Sequence, residues 1–331
     1  MRKPKLALYW AASCGGCEIA VLELKEKILD VAAAFDLVFW PVALDFKYKD
    51  VEAMADGEID VCLFNGAIRN SENEHIARLL RDKAKVMVAF GACSAMGGIP
   101  GLANVSDRRE IMDLVYRRNP SLANDEGVLP QTKTVVPEGE LTLPELYDTV
   151  KTLDQTVAVD YYVPGCPPEA GQIWTVVSAV IAALKSGRLP PKGAVLGAGE
   201  KTCCDECERV KEEKKISAFK RPWEIVPDPE RCLLEQGIVC MGPATRAGCG
   251  ARCPSVNMPC RGCYGPPAGV VDQGAKMLST IASIVDAPTP EEIAEIAATV
   301  PDPLGTFYRF GLASSLLRRT KVPAAESEAR V

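Results

Sequence analysis

KLALYWAASCGGCEIAVLELKEKIL, Lys5–Leu29, decides how the first half of the chain folds. Lys5 to Trp10 is a short apolar run of strand type. Ser13-Cys14-Gly15-Gly16-Cys17 follows as a glycine-rich turn. From Glu18 to Leu29, apolar Ile19, Leu22, Ile28 and Leu29 stand between Lys and Glu at a spacing that predicts a helix. Strand, tight turn and helix in that order form the unit from which parallel sheets are built. The unit recurs along the chain. Strands are predicted at Leu37–Val42, Ile59–Phe64, Lys85–Phe90 and Val157–Val163. Asn70-Ser71 predicts the cap of a helix running to about Asp82, and Ser106 that of one running to about Arg117. Glu169–Leu184 reads as a buried helix, and 118–156 as proline-rich and irregular with a short helix from Pro144. Short apolar strands alternating with helices predict an α/β fold, a flavodoxin-like doubly wound parallel sheet over residues 1–190. Gly187–Gly199, rich in Gly and Pro, reads as a linker into a second unit, 191–331, cysteine-rich and mostly irregular, then helical. Its helices are predicted at Gly274–Val285 and, from the Thr289-Pro290-Glu291-Glu292 start, up to Pro301. The polar end after Pro323 reads as frayed.

Nine of the 14 cysteines lie between Cys203 and Cys263. Thiols at this density pair as disulfides, bind zinc or hold iron–sulfur clusters. The charge balance, 38 Lys and Arg against 44 Asp and Glu, leaves a net −6 with no basic stripe, which speaks against a nucleic-acid partner. No apolar run reaches the length of a membrane span. Arg2-Lys3-Pro4-Lys5 and the apolar residues up to Cys14 imitate a lipoprotein signal, but the run is short and its Tyr9 and Trp10 suit a strand. A cytoplasmic chain is expected. Stable disulfides are disfavoured there, which leaves metal as the leading use of the thiols.

The first, fourth and fifth predicted strands each end in a glycine-containing turn that carries cysteine: Cys14 and Cys17, Cys93, and Cys166. Open α/β sheets bind ligands at the carboxyl ends of their strands, so the fold would gather these four at one edge. Four thiolates suit a 4Fe–4S cluster, and equally a zinc ion, since spacing does not separate the two metals. Other signals are weaker. Cys62 sits mid-strand as a core residue, and His75, the only histidine, sits in a polar helix start suited to the surface. Glu18 is either a proton relay beside Cys17 or an ordinary acid at a helix N-terminus. Gly97–Gly101 lacks the ending of a phosphate loop, and no G-x-G-x-x-G follows the first strand.

Cys14-x-x-Cys17, Gly91-Ala92-Cys93 with Gly97-Gly98-Ile99-Pro100-Gly101, and Pro164-Gly165-Cys166-Pro167-Pro168 resemble the small subunit of nickel–iron hydrogenases. The related 20 kDa subunit of complex I has adjacent cysteines in place of the C-x-x-C. The resemblance is strongest to the cytoplasmic methyl-viologen-reducing, F420-non-reducing type. It implies three 4Fe–4S clusters. The proximal one takes Cys14, Cys17, Cys93 and Cys166, and the medial one Cys249, Cys253, Cys260 and Cys263. The distal one takes Cys204, Cys207, Cys232 and Cys240. Periplasmic members place His where Cys204 stands. Cys203 rivals Cys204 as ligand, and Cys253 is the fourth medial thiol that three-iron relatives lack. The resemblance also implies a large partner subunit carrying the nickel–iron centre, and a downstream acceptor that is heterodisulfide-reductase-like or a diaphorase. An NAD(P)-linked hydrogenase or complex-I-like relay is the nearer alternative, and a zinc-stapled scaffold the more distant one.

Overall fold

The structure is a computed structural model that describes residues 2–212 and 215–321. Its first half runs β1 (Lys5–Trp10), α1 (Gly16–Leu22), α2 (Ile28–Ala34), β2 (Asp36–Phe39), α3 (Tyr48–Glu52), β3 (Ile59–Asn65), β4 (Ile68–Asn70), α4 (Ser71–Lys83), β5 (Ala84–Phe90), α5 (Ala92–Met96) and α6 (Arg108–Asp113). It continues through β6 (Lys133–Val136), β7 (Gly139–Thr142), β8 (Leu146–Lys151), β9 (Tyr161–Val163), α7 (Ala170–Ser186) and β10 (Ala194–Val195). Six of these strands form one sheet in the order β2-β1-β3-β5-β9-β10. Every pairing in it is parallel. The first five follow the flavodoxin-like order, whose switch point lies between β1 and β3.

Side-chain alternation divides the sheet into two buried faces. Leu6, Leu8, Val61, Leu63, Val86 and Val88 pack under α1 and α7, against Val21, Ile173 and Val176. Ala7, Tyr9, Ile59, Cys62, Phe64 and Met87 pack under α4, against Ile76 and Leu80. The register Ala7–Cys62–Met87 places Cys62 in the middle of that second face, fully buried. Asn70 Oδ1 accepts the Asn73 N–H at 2.8 Å and caps α4, and His75 is exposed.

Three local expectations are corrected. The helix expected from Glu18 to Leu29 is broken: α1 stops at Leu22, a 3-10 turn spans Lys25–Lys27, and Lys25 takes a left-handed φ of 55°. Its buried apolar residues are Ala20, Val21 and Leu24, whereas Ile19, Leu22 and Leu29 are more than half exposed. Second, residues 146–151 form β8, antiparallel to β4, instead of a helix from Pro144. The partner lies more than 70 residues away, so local propensity carried no sign of it. Third, the Gly187–Gly199 segment is more than a linker, because β10 within it extends the sheet along β9.

The second half is built around α8 (Arg252–Ser255), α9 (Gln273–Ala282), α10 (Pro290–Ala298) and α11 (Pro303–Phe307). Met277, Ile281 and Ile284 are buried against Leu233, Ile238, Phe307 and Leu312, with cysteines filling the rest of this core. Thr289 caps α10 through Glu292 N–H at 3.2 Å. The chain then returns to the first half: Gly98 N–H donates to Phe310 O at 2.9 Å, and Asn104 Nδ2 to Arg318 O at 2.8 Å. The end expected to fray, after Pro323, lies outside the described residues. No helix among the described residues is long and apolar enough to cross a membrane.

Candidate iron–sulfur centres

Parallel strands deliver their turns to one edge, and here those turns carry thiols. Cys14 follows β1, Cys17 lies in the first turn of α1, Cys93 in the first turn of α5 behind β5, and Cys166 follows β9. Two backbone bonds fasten the turns after β5 and β9 together: Gly91 N–H to Val163 O at 2.8 Å and Ala92 N–H to Gly165 O at 2.7 Å. The peptide bond Cys166–Pro167 is cis. Two glycines make room for the sulfurs. A Cβ on Gly91 would lie 2.4 Å from Cys17 Sγ, and one on Gly98 would lie 2.5 Å from Cys93 Sγ.

The electrostatics show that the four thiols share one space. Burial raises the Cys17 thiol far above its ordinary range, and the thiols of Cys93, Cys166 and Cys14 raise it further. Cys93 is pushed up to about 12 by burial, then by Cys166 and Cys14, and Cys166 rises through burial and then Cys14. Four such groups ionise together only beside a compensating positive charge, which an iron–sulfur core or a zinc ion supplies. Glu18, adjacent to Cys17, is buried. Burial raises its carboxyl, while bonds donated by Trp40 Nε1 and Asn65 Nδ2 pull the other way. It is thus an acid in the first turn of α1 that is also buried beside Cys17.

In the second half the cysteines fall into two touching groups. Cys203, Cys204, Cys207, Cys232 and Cys240 line one cavity, with Leu233, Gly242 and Pro243. Cys204 is pushed up to about 12, first by burial; nearby Lys211, which donates to Cys204 O at 2.8 Å, opposes that rise. Cys249, Cys253, Cys260 and Cys263 neighbour one another: burial raises the thiols of Cys253 and Cys263, and Cys260 and Cys249 raise both further. Cys253 is exposed and Cys260 is buried. Cys203, buried at 1 % exposure, stands between the two groups: it lines the cavity, and its thiol also neighbours Cys249 and Cys260. Those two thiols are both drawn down, first by the bond shared with Cys203.

Contacts join the three groups in series. The Cys263 thiol meets the backbone of Cys166 in the first group. Cys260 N–H donates to Cys240 Sγ at 3.2 Å, across to the cavity group. All 14 cysteines are free of disulfides. Among the described residues no three His, Cys, Asp or Glu side chains converge as ligands of a single ion.

Several supporting residues carried no signal in the sequence. Arg209, buried, donates to Asp228 O at 2.8 Å, Arg231 O at 2.9 Å and Pro254 O at 2.9 Å, and so ties the Cys232 loop to the Cys253 turn. Thr245 Oγ1, beside the Cys260 thiol, donates to Met241 O at 2.6 Å and accepts from Gln273 Nε2 at 3.2 Å. Residues 15 to 45 positions apart in sequence have no local pattern that pairs them.

Residues 14–180 match the family model described as NADH ubiquinone oxidoreductase, 20 Kd subunit. The chain belongs to that family, on the branch formed by hydrogenase subunits. It is 45% identical over 287 residues to the iron-sulfur subunit of the F420-non-reducing hydrogenase of Archaeoglobus profundus, covering 85% of this chain and 88% of that one. It is 39% identical over 326 residues to an F420-non-reducing hydrogenase subunit of Methanothermobacter marburgensis, covering 95% and 96%. The delta subunit of the NAD-reducing hydrogenase HoxS of Cupriavidus necator is more distant, at 24% over 54% of this chain and 79% of that one. Among solved structures, the [NiFeSe]-hydrogenase of Dm. baculatum aligns over 81% of this chain and 96% of its own, with a TM-score of 0.50 at 18% identity, a likeness of fold.

Proposed function

We propose that this chain is the electron-transferring subunit of a cytoplasmic nickel–iron hydrogenase, carrying electrons from hydrogen oxidised on a large partner subunit to a separate acceptor. The observation that carries this reading is the serial contact of three four-thiol groups, from Cys166 to Cys263 and from Cys260 to Cys240. Cys14, Cys17, Cys93 and Cys166 would hold the proximal cluster, and Cys249, Cys253, Cys260 and Cys263 the medial one. Cys204, Cys207, Cys232 and Cys240 would hold the distal one. Bound there, three 4Fe–4S clusters supply one-electron carriers. The chain's own residues anchor the sulfurs, exclude water by burial and donate hydrogen bonds to sulfur, which sets potential. Among those donors are the N–H groups of Ile99 toward Cys93 and Gly242 toward Cys240.

The two ends of the series differ. Cys14 is exposed, and Trp10, Ile19 and Leu22 are 41%, 58% and 54% exposed around that turn and helix, an apolar face suited to the large subunit. At the other end Cys204, Cys207 and Cys232 are half-buried, which leaves that group open to an acceptor of the heterodisulfide-reductase or diaphorase kind. Anaerobic purification of the chain with its partners tests the reading. About twelve irons with equal acid-labile sulfide, reducible by hydrogen, are expected. Zinc without sulfide overturns it.

A further inference from the structure

From the end of α11 the chain crosses from the second half to the first. Tyr308 and Leu312 pack in the second-half core with Met277 and Ile281. Phe310, between them in sequence, does not. It joins Ala92 and Met96 of α5 in a small apolar cluster, and Cys166 and Cys263 both pack against that cluster. Ala92, Met96 and Phe310 are all buried. One buried apolar cluster thus touches a thiol of the first group and a thiol of the group assigned to the medial centre.

The segment that carries Phe310 is fastened along its length. Gly98 N–H donates to Phe310 O at 2.9 Å, Gln155 Nε2 to Ala313 O at 2.8 Å, Leu316 N–H to Asp272 Oδ2 at 3.1 Å and Asn104 Nδ2 to Arg318 O at 2.8 Å. Ala313 sits on Gly97, where an added Cβ would lie 2.4 Å from the Ala313 Cβ. Met96 is hemmed in from the other side. A Cβ on Gly265, two residues beyond Cys263, would lie 2.5 Å from Met96 Sδ. With Ala313 and Met96 so placed, the Phe310 ring is a fixed filler of the junction.

A phenyl ring has no polar atom, so it neither ligates metal nor bonds sulfur. What it brings is volume and low polarity. Reduction adds negative charge to a centre already ringed by four thiolates. Water beside such a centre stabilises the added charge and raises the potential, whereas apolar packing holds the potential down. We propose that Phe310 is a positioning residue of the relay: packed with Ala92 and Met96 beside Cys166 and Cys263, it keeps water from the junction of the proximal and medial centres and holds both potentials below those of a wetted junction. The proposal rests on the three-cluster reading above. Cys207, Cys232 and Cys240 of the distal group pack in the other core, so the effect is confined to the two inner centres.

The test is a redox titration by EPR of the anaerobically purified complex, comparing wild type with Phe310→Ala and Phe310→Leu. Ala opens a cavity bordered by sulfur, and Leu keeps the space apolar. Leu80→Ala, a cavity under α4, is the control for lost packing. Phe310→Ala should keep full iron and raise the reduced-to-oxidised ratio of the proximal and medial signals about tenfold at fixed poise, about 59 mV upward for one electron. Electron spin-echo modulation in D2O should show new deuterons beside those two centres. Leu should recover most of the shift, and the distal signal should not move. Full iron with unmoved signals in Phe310→Ala overturns the proposal. So does an equal shift of all three signals, or the same shift in Leu80→Ala, since either is general loosening. If Phe310→Ala loses iron, Met96→Ala is read in its place and must show the same shift; iron loss in both overturns the proposal by making the cluster an anchor of the ligand loops. A wild-type complex without separate proximal and medial signals overturns the three-cluster reading itself, an outcome distinct from the others.

Discussion

Gly91→Ala is the sharpest perturbation of the first thiol group. Gly91 has φ 87° and ψ 164°, a region essentially closed to residues with a Cβ. Forcing alanine there costs about 1–3 kcal/mol in backbone strain alone. The added Cβ would also stand 2.4 Å from Cys17 Sγ. Reaching ordinary contact at 3.4 Å requires a displacement of about 1 Å. Ligand distances at metal sites hold to about 0.2 Å, so a shift of that size removes Cys17 from any shared centre. Overpacking of a rigid site adds about 1–3 kcal/mol, for a total of about 2–6 kcal/mol. Gly187→Ala is the control. Gly187 has φ 68° and ψ 12° with nothing within 4 Å of the added Cβ, so it carries only left-handed strain, about 1–2 kcal/mol. Iron and sulfide analysis with anaerobic thermal unfolding reads both variants. Gly91→Ala should lose the proximal cluster, about four irons, and unfold earlier, while Gly187→Ala keeps its iron. A Gly91→Ala protein with full iron and the stability of the control refutes the argument that Gly91 makes room for Cys17.

Cys62→Ser should cost about 1–3 kcal/mol by burying a hydroxyl among hydrocarbon, with no change in iron content; iron loss would show that Cys62 is more than core. Asp160 accepts from Met87 N–H at 2.9 Å and Arg81 at 2.7 Å, and pairs with Lys192 at 2.8 Å. Burial raises its carboxyl, but Lys192, the Met87 N–H and Arg81 outweigh burial and leave it below the usual carboxylate range. A depressed carboxyl stabilises the fold above its unfolded pKa, and that contribution disappears as pH falls through the folded value. Asp160→Asn should therefore cost about 1–3 kcal/mol in denaturant unfolding at pH 7, with the gap to wild type closing below about pH 4. A gap that stays constant with pH would remove the charge from the explanation. Leu22→Asp should weaken binding of the large subunit at least about tenfold in pull-down titrations while leaving iron content and thermal stability intact. Unchanged binding would place the docking face elsewhere.

Much of the site is written locally. A strand is recognised by a few apolar residues, and a glycine turn by composition, so Cys14, Cys17, Cys93 and Cys166 could be assigned to strand ends before any coordinates. Parallel-sheet topology then implies that they meet, because it places strand carboxyl ends on one edge. The caps at Asn70 and Thr289 were legible for the same reason, since each acts within three residues. The helix after Cys17 shows the limit of such reading. Ile19, Leu22 and Leu29 have the spacing of a buried stripe, yet they are exposed, and smaller Ala20 and Val21 face the sheet. Periodicity detects an apolar stripe but not which surface covers it, and this stripe fits a partner better than a core.

The sequence by itself determined the strand-ending turns, the number of thiols and their local pairs, because these depend on residues a few positions apart. Tertiary structure decided which thiols come near one another, how Cys166 comes to Cys263 and Cys260 to Cys240, and that Cys203 stands between two groups. The reason is physical. A thiol's neighbours in space are set by long-range pairing, here the Cys203–Thr245 and Ala247–Lys201 backbone bonds, and such pairing leaves no mark on the residues it joins.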